Sequence, residues 1–155
     1  MSILSESYNV PYLVKPGDHQ AGVDGDSVFM GRLFDLELMV QFGSLSGDGV
    51  LTIYSGATDS AKTTAETFRY RLADATQGST NADQFGAWTT SSALTLTEAT
   101  YQNKLLIVYI RATELTDGQP WLTLEFSAAA STLNASVVSL GPPRYAASNP
   151  PSALV

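Results

Sequence analysis

The chain has no cysteine and a single histidine, His19. The first absence removes disulfides and thiolate metal sites. The second removes any multi-histidine metal centre built within one chain. Charge is also scarce: 15% of residues are charged, against a typical value of about 25%. What charge there is leans acidic, with 8 Lys and Arg against 15 Asp and Glu and a formal net charge of −7. Nucleic-acid affinity comes largely from basic groups that neutralise phosphates, so a nucleic-acid partner is not expected. No apolar run approaches the roughly 20 residues that cross a bilayer as a helix. Residues 1–14 lack a basic start and a continuous apolar stretch, and Pro11 interrupts them, so no signal peptide and no membrane partner are expected. No nucleophile elbow and no phosphate-binding glycine loop is present.

What the sequence does have is alternation. In residues 33–42, Phe34, Leu36, Leu38, Val40 and Phe42 fall on one face, with Asp35, Glu37 and Gln41 on the other. This pattern predicts a half-buried strand. Gly47-Asp48-Gly49 tolerates positive φ, as a tight hairpin needs, so residues 33–42 and 50–55 are expected to pair antiparallel. After a polar loop over 55–65, residues 66–73 place Phe68, Tyr70 and Leu72 opposite Thr67, Arg69 and Arg71. Short strands are expected around 87–90 and 93–97, with a short helix near 96–102. Leu105 to Ile110 is apolar on both faces, which predicts a central strand covered on both sides or facing an interface on one. Residues 121–126, with Leu122, Leu124 and Phe126 inward, and residues 135–140 complete the pattern.

The ends differ from this middle. Pro11, Pro16, Gly17, Gly22 and Gly25 punctuate residues 1–26, read as an extended arm with one short strand. Residues 141–155 carry Pro142-Pro143 and Pro150-Pro151 and read as an extended tail outside the main sheet. The expectation is an all-β, single-domain sandwich or jelly roll over residues 27–140, of roughly eight strands, with two terminal arms.

Candidate chemistry is thin. His19 lies in a polar turn and reads as a solvated loop residue, or as a group that symmetry-related copies bring together. Asp18, Asp24 and Asp26 near Gly22 and Gly25 lack the alternation of a calcium loop and read as turn residues. Glu37, Glu66 and Glu125 read as solvent-face strand residues and Glu98 as a turn residue, with nothing to single out a catalytic pair. Arg69, Arg71 and Arg111 lie mid-strand, where their planar forks suit carboxylates such as Glu37 or Glu125 across a sheet or between subunits. Trp88 and Trp121 would be the stacking pair of a sugar-binding sandwich, or else core and cap residues. Neither enzymatic activity nor a cofactor is expected.

Residues 51–73, LTIYSGATDSAKTTAETFRYRLA, followed by Gly86-Ala87-Trp88-Thr89, resemble head decoration, or cement, proteins of tailed bacteriophages. The likeness spans residues 28–128 and is clearest over Leu51–Ala57 and Phe68–Arg71. The resemblance implies a β-rich, non-catalytic virion protein, made in the cytoplasm of a bacterial host and placed on the capsid exterior. It further implies binding to the major capsid protein and self-association, with a trimer favoured. It carries no residue map. From the sequence itself, the expected subunit or capsid contacts are Tyr8, Tyr12, His19, Arg69, Arg71, Trp121, Arg144 and Tyr145. The alternatives are a phage tail or head-completion structural protein, and a carbohydrate-binding, adhesin-like module.

Overall fold

The computed structural model describes residues 7–145 and 151–154; the parts of the two expected arms at residues 1–6, 146–150 and 155 lie outside the described residues. The chain is an all-β sandwich of two antiparallel sheets. In chain order the strands are β1 (Tyr12–Asp18), β2 (Val23–Asp24), β3 (Val28–Phe29), β4 (Asp35–Leu45), β5 (Gly49–Gly56) and β6 (Thr64–Ala65). They continue as β7 (Phe68–Leu72), β8 (Thr89–Ser91), β9 (Ala93–Leu96), β10 (Leu105–Arg111), β11 (Trp121–Phe126) and β12 (Leu133–Leu140). A single-turn helix, α1 (Glu98–Tyr101), falls where a short helix was expected. The strands number twelve among the described residues, not eight, because β2, β3, β6 and β8 are fragments of two or three residues.

The first sheet runs β1-β12-β4-β10-β7-β8. The second is built on β11 and β5 side by side. Two fragments fill each of its edges: β2 and β3 on β11, β9 and β6 on β5.

The expected hairpin between residues 33–42 and 50–55 does not form: β4 and β5 belong to different sheets. The turn after β4 is instead a crossover. A residue count shows how the chain is steered there. Leu133 faces Leu45 and Ala135 faces Phe42, so β4 holds one extra residue at its end, a bulge that bends the strand out of its sheet. Ser46 then donates its N–H to the carbonyl of Thr132 at 2.9 Å, and Gly47 turns at φ +84° against Ala130. Residues 127–132 carry the chain from β11 back to β12, so the two crossovers run side by side. A glycine turn serves a hairpin and a crossover equally well, and the non-local partner decides between them.

The crossover brings the two inner faces together. From the first sheet come Leu36, Leu38, Val40, Phe42, Leu106, Val108, Ile110 and Val137; from the second, Leu51, Ile53, Leu122, Leu124 and Phe126. Phe42 sits at their junction. Its ring meets Phe126 of the opposite sheet edge-on at 6.4 Å and Tyr101 of α1 at 5.9 Å. Phe34, expected on this inner face, is 59% exposed: a 3₁₀ turn at Met30–Arg32 precedes it, Leu33 takes the buried place, and regular alternation starts only at Asp35.

The terminal segments join the same body. The short strand expected in the first 26 residues is β1, which pairs with β12. Pro143 bridges Leu33, and Phe34 N–H reaches the carbonyl of Pro142. Ala153 is a core residue whose carbonyl accepts the N–H of Phe29 at 2.8 Å, a burial that the proline-rich composition of the tail did not reveal.

Two predictions follow from this core. Phe42→Ala removes a fully buried ring shared by both sheets and should lower unfolding free energy by about 3–5 kcal/mol, read by urea denaturation. The Tyr101 phenol is pushed up to about 12, first by burial and then by the neighbouring Tyr70. The unfolded chain ionises nearer 10, so this contribution is complete below pH 10 and is lost as pH rises from about 10 to about 12. Urea midpoints measured through that window should fall more steeply for the native chain than for Tyr101→Phe.

Candidate functional site: the outer face of the six-stranded sheet

A sandwich covers one face of each sheet and leaves two outer faces. The two differ. On the second sheet, the loop after β5 folds back over the strands. A Cβ at Gly56 would overlap the carbonyl of Ala61, so only glycine admits this close return. Ser60 donates its N–H to Ser27 Oγ at 3.0 Å, and Ser27 Oγ shares a hydrogen bond of 2.7 Å with Thr123 Oγ1. Both hydroxyl groups are buried. Lys62 reaches across to Glu125 and Asp24, and these two carboxylates hold its ammonium well above the usual lysine range. The polar loop at residues 57–63 is therefore a cover for its own sheet.

The outer face of the first sheet is met at one end by the segment before β8, whose Trp88 reaches Tyr109 of β10. The strand register places Tyr12, Val138, Met39, Ile107 and Arg71 opposite one another, strand by strand, on β1, β12, β4, β10 and β7. Four of these five side chains are apolar or aromatic. Tyr12 is 46% exposed, while Ile107 is sealed to 5% by its neighbours. β10 is thus apolar on both faces, as its sequence indicated, and Ile107 is buried on the outer one.

One end of this row is aromatic and cationic. The Arg71 guanidinium lies close to two rings, 5.0 Å from Phe85 and 4.8 Å from Trp88. Trp88 meets Tyr109 edge-on at 6.2 Å, and Arg69 lies 4.8 Å over the other ring contact of this group, Tyr109. Arg69 is paired with Glu114 at 2.7 Å; Tyr109 donates its hydroxyl to Asp35 at 2.9 Å; Arg111 donates Nε–H to the Tyr109 oxygen at 3.2 Å. The expected partners Glu37 and Glu125 take none of these arginines. Each cation–ring contact contributes about 0.5–2 kcal/mol, most where water is excluded. Arg71 is the exception in the group. Its Nε is sealed from solvent and donates to nothing.

The other expected contact residues scatter. Tyr8 and Tyr145 are exposed, but Tyr145 follows Arg144, whose Nε–H is donated to the carbonyl of Leu33. His19 is not a solvated loop residue: it is 8% exposed, with Nε2 2.9 Å from the carbonyl of Lys15. Trp121 packs on Phe29 at 5.2 Å in the second sheet, whereas Trp88 borders the first, so the two tryptophans form no single stacking platform. Of the eight residues expected, Tyr12, Arg69 and Arg71 share the open face. Phe85, Trp88 and Tyr109 complete it. The Phe85-Gly86-Ala87-Trp88 segment gave the one available signal, two aromatics in a polar stretch.

A second polar cluster is buried between the sheets' edges. Glu66, expected on a solvent face, is 7% exposed and accepts hydrogen bonds from Ser55 Oγ and from the Thr116 N–H at 2.8 Å. Ser55 Oγ also lies 2.8 Å from the Gln119 side-chain amide. A hydroxyl has one proton, so Gln119 satisfies this contact with its NH₂ turned to donate. The Ser55 hydroxyl is fully enclosed, and the cluster braces residues 114–119 against β5.

No family model matches the chain, and no curated protein matches it. Among solved structures the chain is similar to the crystal structure of the SPBc2 prophage-derived protein YomS, at 11% identity, covering 90% of this chain and 98% of that chain, with a TM-score of 0.49.

Glu66→Ala should leave the Ser55 hydroxyl and the Thr116 N–H without their acceptor, at about 1–3 kcal/mol for each buried group. Glu66→Gln keeps one acceptor oxygen and should lose less. Urea midpoints of the two variants check the order.

Proposed function

We propose that the chain is a structural protein of a tailed-phage virion, made in the bacterial cytoplasm, that coats the capsid exterior as a cement protein and has no catalytic role. It attaches to the major capsid protein through the outer face of the six-stranded sheet. The observation that carries this reading is the contrast between the two outer faces. One sheet is covered by its own loop, and the other presents an apolar row ended by ring-stacked arginines. A sheet face that carries partly exposed apolar residues beside aromatic and arginine side chains suits a protein partner, since aromatics and arginine are enriched at such contacts. The resemblance of residues 51–73 and 86–89 to cement proteins supplies the class of partner. An acidic chain of −7 suits a coat that avoids the packaged nucleic acid. Self-association fits the same picture, because among the described residues β1 and β8 end the first sheet with one side unpaired, and a closed oligomer covers such edges. The sugar-binding reading has lost its paired rings, since Trp88 and Trp121 lie on different sheets.

The test is to mix the purified chain with empty, expanded heads of its phage and with isolated tails. Co-sedimentation with heads, regular surface density in electron micrographs and a higher temperature of head rupture are expected. Binding to tails alone, or to neither, overturns the reading.

A further inference from the structure

One edge of the second sheet is closed by a piece of chain that comes from far away in the sequence. β3 pairs with β11 on one side, through Trp121 and Leu122, and the N–H of Met30 reaches the carbonyl of Pro120 at 2.8 Å. On the other side of β3, the N–H of Phe29 is donated to the carbonyl of Ala153 at 2.8 Å, so the tail adds one backbone hydrogen bond beyond the strand. Three further contacts fix it. Arg32 donates to the carbonyl of Ser152; Ala153, 1% exposed, belongs to the core; Leu154 packs against that core half-buried. Ser152 Oγ takes the N–H of Leu154 at 3.1 Å, a local turn that withdraws this donor from the sheet.

The attachment is therefore small: one sheet bond, one arginine, one methyl group and part of a leucine. Segments held by so few contacts open well below the free energy of global unfolding. The groove beneath the tail is nonetheless specific. It offers the Phe29 N–H, the Arg32 guanidinium and a core place that Ala153 fills.

We infer that this groove is an exchangeable joint between copies of the chain: Ser152–Leu154 of one copy seats in the groove of a second copy, which returns its own segment. The occupant is the one that the structure shows in place, and a second copy brings the same carbonyls and the same methyl group, so every contact is kept. Residues 146–155 carry no charged side chain, so the segment adds no like charge to a pair of chains that each carry −7. Reach allows the exchange: fully extended, the chain from Tyr145 to Ser152 spans up to about 25 Å. Reciprocal exchange leaves neither groove empty and closes the pair, the arrangement of a domain swap. The partner is a second copy and not the capsid, so the inference goes beyond the proposed function and stands on the tail alone.

The direct test uses the full chain. One sample is labelled with nitrogen-15, another with carbon-13, and the two are incubated together at millimolar concentration. A nuclear Overhauser effect from carbon-13-bound protons of Ala153 to the nitrogen-15-bound amide proton of Phe29 arises only between copies, and it is expected. A chain lacking residues 152–155 should contain fewer copies per particle than the full chain at the same concentration. Its Phe29 amide should exchange with solvent about tenfold faster, or more, the scale of losing one hydrogen bond with its surrounding contacts. Acetyl-Pro-Pro-Ser-Ala-Leu-Val-amide should restore the protection, and the same peptide with Asp in place of Ala should not. Absence of the Overhauser effect between copies of the native chain overturns the inference, whether or not the shortened chain folds. An equal number of copies per particle with and without residues 152–155 overturns it as well. If tails exchange but heads do not bind the chain, the joint stands and the proposed function fails. If heads bind the chain and no effect between copies is seen, the proposed function stands and the joint fails.

Discussion

A β-sheet has two faces, and a two-layer sandwich can bury only one of each. The crossover at residues 46–48 decides which. By sending β4 and β5 into different sheets, it turns their apolar faces toward each other and makes Phe42 and Phe126 neighbours across the core. A hairpin at the same place would have set both strands in one sheet, with no opposing layer supplied by β5. The bulge at the end of β4, the turn at Gly47 and the adjacent return of residues 127–132 all serve this one redirection. Once it is made, the remaining question is what happens to the outer faces.

The two are handled by different means. The outer face of the second sheet is polar in its buried part, and the loop at residues 57–63 completes it with the Ser27–Thr123 pair, Ser60 and Lys62. The outer face of the first sheet is apolar along one row and cationic at its end, where Phe85 and Trp88 pack against Arg71 and Trp88 reaches Tyr109. Of this row Tyr12 is exposed, Met39 and Val138 are partly exposed, and Ile107 is buried. Arg71 stands at the end of this row, near the Phe85 and Trp88 rings, with its buried Nε donating to nothing among the described residues.

Much of the strand layout was legible because alternation is a local property. Residues 68–72, 105–111 and 121–126 show it plainly, and the two-sided apolarity of β10 announced its central place, with Leu106, Val108 and Ile110 buried on one face and Ile107 on the other. Pairing was not legible, because Gly47-Asp48-Gly49 has the same backbone freedom in a hairpin and in a crossover. Burial of polar groups was equally hidden. Glu66 sits in an alternating strand pattern, but its depth is set by Ser55 and Thr116, which come from elsewhere in the chain. His19 is buried by its fold back onto Lys15 and β12. Ala153 lies in a stretch with no core pattern and is buried because the chain end returns to Phe29. At the candidate site the arginines could be named from the sequence. Their partners could not, since Phe85 and Trp88 stand just after a polar loop and meet Arg71 only through strand pairing.

The most direct measurement of the central claim is a cryo-electron microscopy reconstruction of heads decorated with the chain. The account predicts that β12, β4, β10 and β7 lie against the shell, with the loop at residues 57–63 directed away from it. A reconstruction with the six-stranded sheet turned to solvent and the loop-covered sheet on the shell would contradict it.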